Sequence, residues 1–155
     1  MRKIATLALL ATLAGCASKP YGNFIENAPL STNQTLAADT VKQLVSVYPP
    51  ASTRFNLVHE TPDAYGRALI SSLRAKGYAL QEGGEQSAKE AEAAKSAVAA
   101  ANSAVQGLSL SYVIDNPPET NLYRVTLKVG YQSLTRAYVA QNNTVHPAGA
   151  WTRKE

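Results

Sequence analysis

After Gly107 the apolar residues of this chain repeat at every second position, and that period limits its folds more than any other feature. Leu108, Leu110, Tyr112 and Ile114 alternate with Ser109, Ser111 and Val113, while Tyr123, Val125, Leu127 and Val129 alternate with Leu122, Arg124, Thr126 and Lys128. A repeat of two places each set on one face of a strand. Asp115-Asn116-Pro117-Pro118 stops the first strand and Gly130 permits a turn after the second. Ser133 to Ala140 is a third strand, Asn142-Asn143 the next turn, and Gly149 to Arg153 a short last strand carrying Trp151. Strands joined by short turns pair antiparallel. Such a meander has one apolar face, which another layer must cover.

The first half supplies that layer. Val41, Leu44, Val45 and Tyr48 share a stripe at helical spacing within Thr35 to Tyr48, and Pro49-Pro50 ends the helix because the residue before proline leaves the α region. Thr53, Phe55 and Leu57 alternate with Arg54, Asn56 and Val58 as a strand. Thr61-Pro62-Asp63 then offers an N-cap, a proline at the first helical position and an acid in the first turn. Tyr65, Leu69 and Leu73 share a face, Arg74 and Lys76 sit at the negative helix end, and Gly77 suits a left-handed C-terminal position. Tyr78 to Gln81 is a further strand. The expected class is α+β, with helices on a mainly antiparallel sheet.

Two segments lie outside this pattern. Residues 16–34 hold Pro20, Gly22, Pro29 and several Asn and Ser without periodicity, and read as an extended tether to a single domain over 35–155. Gly83-Gly84 opens an insertion over 83–107; between Gln86 and Gln106 nine of 21 residues are Ala, and Val98 and Val105 are the only larger apolar side chains. Alanine favours helix, yet so little apolar area cannot hold a helix on a core. The reading is an exposed helical insertion within the domain, with a flexible linker as the alternative.

The first fifteen residues carry an address. Met1-Arg2-Lys3, the uncharged run Ile4 to Leu13 and Ala14-Gly15 follow the charged, apolar, small-residue order of a secretory signal, here 1–15. Ten apolar residues fall short of the roughly 20 that span a bilayer as a helix. Leu13-Ala14-Gly15-Cys16 resembles the bacterial lipobox, in which the cysteine receives diacylglycerol and, after cleavage, a third acyl chain. Two chains already suffice for stable anchoring, at about 0.8 kcal/mol per buried methylene. Cys16 is thus an expected lipidation site, and Ala17 after it, rather than Asp, resembles the enterobacterial lipoproteins released to the outer membrane, which implies that location with the domain facing the periplasm.

Few chemistries remain. Lys plus Arg number 15 against 11 acids in the full chain, a formal +4; without Arg2 and Lys3 the balance is 13 against 11, or +2. One Cys and two His exclude an internal disulfide and a Cys-rich zinc site. His59 near Glu60 and Asp63, Ser71, Ser72 and Ser109, and the Asp115 and Glu119 carboxylates lack the constrained spacing that nucleophilic or carboxylate catalysis requires. Gly83-Gly84 has no following Lys-Ser or Lys-Thr and is no phosphate loop. No catalytic residue, cofactor or metal is expected. From Asn121 to Glu155, in contrast, five cations stand against one acid, interleaved with Tyr and Trp. Arg, Tyr and Trp predominate in interface hot spots. Arg124, Lys128, Arg136, Tyr138, Trp151 and Arg153 are therefore the candidate partner-binding residues, with Arg124, Lys128 and Arg136 expected on one outward face. Protein contact is favoured over DNA, because the processed charge is low and no nucleic-acid motif appears.

Several words of the sequence are distinctive together: Asp39-Thr40-Val41-Lys42-Gln43-Leu44, Tyr48-Pro49-Pro50-Ala51-Ser52-Thr53-Arg54, Arg74-Ala75-Lys76-Gly77-Tyr78, Asn121-Leu122-Tyr123-Arg124, Gln132-Ser133-Leu134-Thr135-Arg136-Ala137-Tyr138 and the ending Pro147-Ala148-Gly149 with Trp151-Thr152-Arg153-Lys154-Glu155. With these the chain resembles the conjugal transfer lipoprotein TrbH family, over nearly its whole length outside the alanine tract. The resemblance implies a structural subunit of the outer-membrane core complex of a conjugative type IV secretion system, in a multi-copy assembly with other core subunits, and not an enzyme. It also suggests a small βαββ domain similar to those at the N-termini of secretins, with which the order of elements from Arg54 to Tyr138 is compatible. The alternative function is a periplasmic lipoprotein that binds or modifies cell wall.

Overall fold

The period-two segments form an antiparallel ladder in the computed structural model, which describes residues 21–82, 107–142 and 144–155. In chain order the elements are β1 (Gly22–Asn23), α1 (Leu30–Val47), a single 3-10 turn (Pro50–Ser52), β2 (Arg54–Leu57), α2 (Ala64–Ala75), β3 (Ala79–Glu82), β4 (Leu108–Asp115), β5 (Leu122–Val129), β6 (Gln132–Gln141), β7 (Thr144–Pro147) and β8 (Thr152–Lys154). Leu110 pairs with Val129, Tyr112 with Leu127 and Ile114 with Val125, so these six residues point to the same face. All six are buried. Val125 in turn pairs with Arg136 and Leu127 with Leu134.

Both helices cover that face, which makes the fold α+β as expected. Tyr65, Leu69 and Leu73 of α2 are fully buried beside Phe55 and Leu57 of β2, and Gly77 closes the helix at φ +86°. The cap sits two residues later than Thr61: the Asp63 side chain accepts from the Gly66 amide at 2.9 Å and the helix begins at Ala64. In α1, Leu36, Ala37, Val41 and Leu44 face the core, and Val45 and Tyr48 pack at its margin.

The expected tether is not extended over its described part. Helix α1 begins at Leu30, five residues before Thr35, because Asn33 is drawn inside and its amide is satisfied there. Asn33 Nδ2 donates to the Ala28 and Pro29 carbonyls at 3.3 and 3.2 Å, while Asn23 Nδ2 donates to Asn33 Oδ1 at 2.9 Å. Upstream, β1 lies parallel to β4, with Gly22 opposite Val113, and the Phe24 amide donates to the Ile114 carbonyl at 2.8 Å. Tyr21, the first described residue, already packs against the domain, stacked on His59.

The sheet is mixed and open, ordered β3-β2-β4-β5-β6-β7, with β1 continuing the β2 edge of β4 and β8 sharing the outer edge of β6 with β7. The meander is antiparallel, but β2 pairs parallel with both β3 and β4. This relation changes the meaning of the segment joining Glu82 to Gly107. The alanine tract itself lies outside the described residues. Its flanking strands, however, run the same way on either side of β2. Parallel neighbours need a crossover of a dozen or more residues, whereas a loop insertion could close with a tight turn. β3 and β4 are thus parallel neighbours of β2 and not the two arms of a hairpin.

Candidate functional site

Asp39 gathers the C-terminal half of the chain onto the first helix. Its Oδ2 accepts from Arg136 Nη1 at 2.8 Å, Tyr138 Oη at 2.6 Å and Trp151 Nε1 at 3.2 Å. The Arg136 Nε donates to the Gly149 carbonyl at 2.8 Å, and its guanidinium lies 5.7 Å from the Tyr138 ring centroid. Because β6 pairs Arg136 with Val125, Arg136 stands on the helix-covered face, opposite to Arg124 and Lys128. The expected common outward face of these three cations is therefore wrong for Arg136. Tyr138 is 1% exposed and belongs to the core. Burial, then the hydrogen bond to Asp39 and the Asp39 charge, hold the Tyr138 phenol far above its ordinary range.

A second polar anchor ties both helices to the sheet. Tyr112 Oη donates to Asp63 Oδ2, and Tyr65 Oη donates to Thr40 Oγ1 at 2.9 Å. The two tyrosine rings meet edge to face with centroids 4.9 Å apart. Asp63 thus caps α2 with one oxygen and receives a buried phenol with the other. The Tyr112 phenol is strongly raised, by burial first and by Asp63 second; Tyr65 is raised by burial. Gly66 sits against this contact, and a Cβ there would collide with Tyr112 Oη and stand 2.6 Å from the Thr61 Cβ.

The other candidate residues are distributed over the surface. On the outer face, Arg124 grips Asp115 directly opposite it with two bonds, Nε to Oδ1 at 2.9 Å and Nη2 to Oδ2 at 2.5 Å. The Asp115 bond raises the Arg124 pKa further. Lys128 lies 5.8 Å from the centroid of the Tyr21 ring. Arg153 reaches Glu155 at 3.2 Å. His59 lies between Tyr21, stacked at 5.5 Å, and Tyr112 at 4.8 Å. Asp63, considered beside it as an orienting acid, is engaged by Gly66 and Tyr112 instead. Ser71 lines a shallow, open cleft of about 320 Å³ with Arg67 and Ile70, whose rim carries the Arg74–Glu82 ion pair. Among the described residues, no three His, Cys, Asp or Glu side chains come together as a metal site. Cys16 lies outside the described residues.

Asp39, Asp63 and Thr40 are the structural anchors that sequence reasoning missed. An aspartate or threonine beside an apolar stripe has the pattern of an ordinary solvated helix position. The only local signal was at Asp63, three residues before the Gly66 amide it caps.

These features define a class: a two-layer α+β domain whose helices are fastened to a mixed sheet by partly buried aspartate–tyrosine contacts. The chain belongs to the conjugal transfer protein TrbH family, whose family model matches residues 18–155. It is accordingly a conjugal transfer protein, implying a component of a type IV secretion system. Neither curated proteins nor solved structures gave a match to the chain. Among the described residues no helix is long and apolar enough to cross a membrane.

Proposed function

We propose that the protein is a lipid-anchored structural subunit of the outer-membrane core complex of a conjugative type IV secretion system, present in several copies and holding other core subunits at the membrane. The carrying observation is the position of Cys16: it ends a signal-like run, and the family match begins at residue 18, so all that is matched belongs to the processed chain. Acylation at Cys16 would fix the chain to the membrane and leave its domain in the periplasm. Contact with other subunits falls to the exposed cations Arg124 and Lys128 on the outer sheet face and to Arg153 at the β8 edge. Arg136, Tyr138 and Trp151 support that edge from within, through Asp39.

Metabolic labelling with a palmitate analogue, followed by separation of inner and outer membranes, tests this reading. The expected result is a labelled outer-membrane protein, with label, outer-membrane position and plasmid transfer all lost in Cys16→Ser. Equal labelling of the two proteins would overturn it.

A further inference from the structure

The chain enters the fold at one particular end of the sheet. β1 runs parallel to β4, with Gly22 opposite Val113 and Asn23 opposite Ile114, so the residues before Gly22 come from the Leu108 end of β4. Tyr21 stands near that end: Lys128, which pairs with Ser111, holds its Nζ 5.8 Å from the Tyr21 ring centroid. Cys16 lies five residues upstream, and five extended residues reach about 17 Å. The stretch of β4 from Tyr112 back to Leu108 spans about 13 Å, so an acylated Cys16 can stand level with the Leu108 end.

That end has a chemistry of its own. The Gly130 amide donates to the Ser109 carbonyl at 2.9 Å, which sets Tyr131, 92% exposed, beside Leu108, 39% exposed. Because β2 and β3 run parallel to β4, Arg54 opens β2 at the same end and Lys76 precedes β3 there. Lys154 of β8 pairs with Ser133, two residues after Tyr131. Among the described residues, none of Arg54, Lys76 and Lys154 joins an ion pair. The acid beside them, Glu155, is held by Arg153 at 3.2 Å. At the opposite end, the connections after β1, β2 and β4 carry Glu26, Glu60 and Glu119, also outside any ion pair among the described residues, and Arg67, which donates to the Pro62 carbonyl. Phe24 and Leu30 are exposed at that end too, but among acids, which an anionic bilayer repels.

Anionic phospholipid attracts basic residues beside a membrane attachment, tyrosine favours the headgroup level, and an acyl anchor gains from a basic patch next to it. We infer that the Leu108–Tyr131 end, with Arg54, Lys76 and Lys154, docks on the anionic phospholipid headgroups around the acylated Cys16, standing the sheet on the bilayer with the β4–β5 turn pointing away. This rests on the lipid-anchor reading and adds an orientation to it, in which Arg124 and Lys128 on the outer sheet face are left to other subunits.

Cys16 is the only cysteine, and acylation occupies it, so a single introduced cysteine can be labelled alone. Full-length Tyr131→Cys and Pro118→Cys proteins, the second altered in the β4–β5 turn, are purified in lipidated form, labelled with an NBD fluorophore and reconstituted into phosphatidylethanolamine–phosphatidylglycerol vesicles with or without headgroup-proximal spin-labelled lipid. The Tyr131→Cys protein is also prepared with Lys76→Gln and Lys154→Gln, and in phosphatidylethanolamine–phosphatidylcholine vesicles. Docking predicts that every protein floats with the vesicles, that the label at 131 shifts to the blue and loses most of its emission to the quencher, and that the label at 118 does neither. The two glutamines, or the vesicles without phosphatidylglycerol, should each restore most of the emission at 131. Floating protein with an unquenched label at 131 overturns the docking end while leaving the anchor intact, and assigns that end to contact with protein. Equal quenching at 131 and 118 also overturns it, as does quenching at 131 that neither the glutamines nor the neutral vesicles reduce. Protein that does not float refutes the anchor reading and the docking end together. The replaced side chains are all exposed, so the variants retain the core.

Discussion

Asp39 and Arg136, 97 residues apart in sequence, form an ion pair of 2.8 Å across the interface between the first helix and the sixth strand, with 23% and 18% of their side chains exposed. The pair is shared: the same carboxylate oxygen also accepts from Tyr138 and Trp151. One acid therefore satisfies donors from β6 and from the C-terminal segment, and holds both against α1.

Asp39→Ala should lower stability by about 2–4 kcal/mol, because it leaves a half-buried guanidinium, a buried phenol and an indole N–H without their acceptor. Urea unfolding monitored by circular dichroism measures it. Asp39→Leu combined with Arg136→Met removes both charges together and should recover most of the loss. A loss well under 1 kcal/mol for Asp39→Ala would show that water replaces the carboxylate.

Alkaline stability follows from the raised phenols. Tyr65, Tyr112 and Tyr138 all have folded values above the ordinary 10.0, so the folded state keeps these protons to higher pH than the unfolded state does. Their contribution is complete below pH 10 and declines as pH rises above it. An ultraviolet tyrosinate titration should show these three phenols ionising only with the loss of the native circular dichroism signal. Full ionisation in a still-folded protein would contradict the buried contacts.

Gly66→Ala tests the close approach of α2 to Tyr112. Alanine gains about 1 kcal/mol in helix propensity, yet the added Cβ must displace Tyr112 Oη and Thr61, and overpacking of this kind costs about 1–3 kcal/mol. The net change should be destabilising in urea unfolding. Adding Tyr112→Phe removes one of the colliding atoms and should reduce the cost of the alanine.

Replacing residues 83–106 with four Gly/Ser residues should abolish the cooperative thermal transition. A 24-residue Gly/Ser replacement should preserve it. Four residues between Glu82 and Gly107 reach about 17 Å, against roughly 14 Å in a straight line back along β3 and across β2, which leaves too little length to clear the β2 side chains. A cooperative melt of the short variant, near that of the parent, would refute this topology.

Much of the architecture was legible locally. The faces Tyr65, Leu69, Leu73 and Tyr123, Val125, Leu127, Val129 follow from periodicity alone, and β5 runs from Leu122 to Val129 as the alternation implied. Gly77 and Gly130 adopt positive φ where turns were expected. Less was visible at the ends. Helix α1 begins among Leu30, Ser31, Thr32 and Asn33, a weakly helical and polar run, because the buried Asn33 amide finds Asn23 and two carbonyls. Strands β1 and β7 are short and lack alternation; each forms because a longer neighbour offers it unpaired backbone groups.

The candidate surface shows the division most clearly. Composition drew attention to Arg124, Lys128, Arg136, Tyr138, Trp151 and Arg153, and period two assigned Arg124 and Lys128 to one side of β5. Register then separated Arg136 from them, and the docking of α1 turned Arg136, Tyr138 and Trp151 toward Asp39. What the sequence determined by itself was set by near neighbours: the periods, the turns at Gly77 and Gly130 and the signal-like order of residues up to Cys16. Only the tertiary structure decided which strands run parallel, which face Arg136 occupies and which acid it meets, because those depend on pairings between residues tens of positions apart, whose partners no local pattern names.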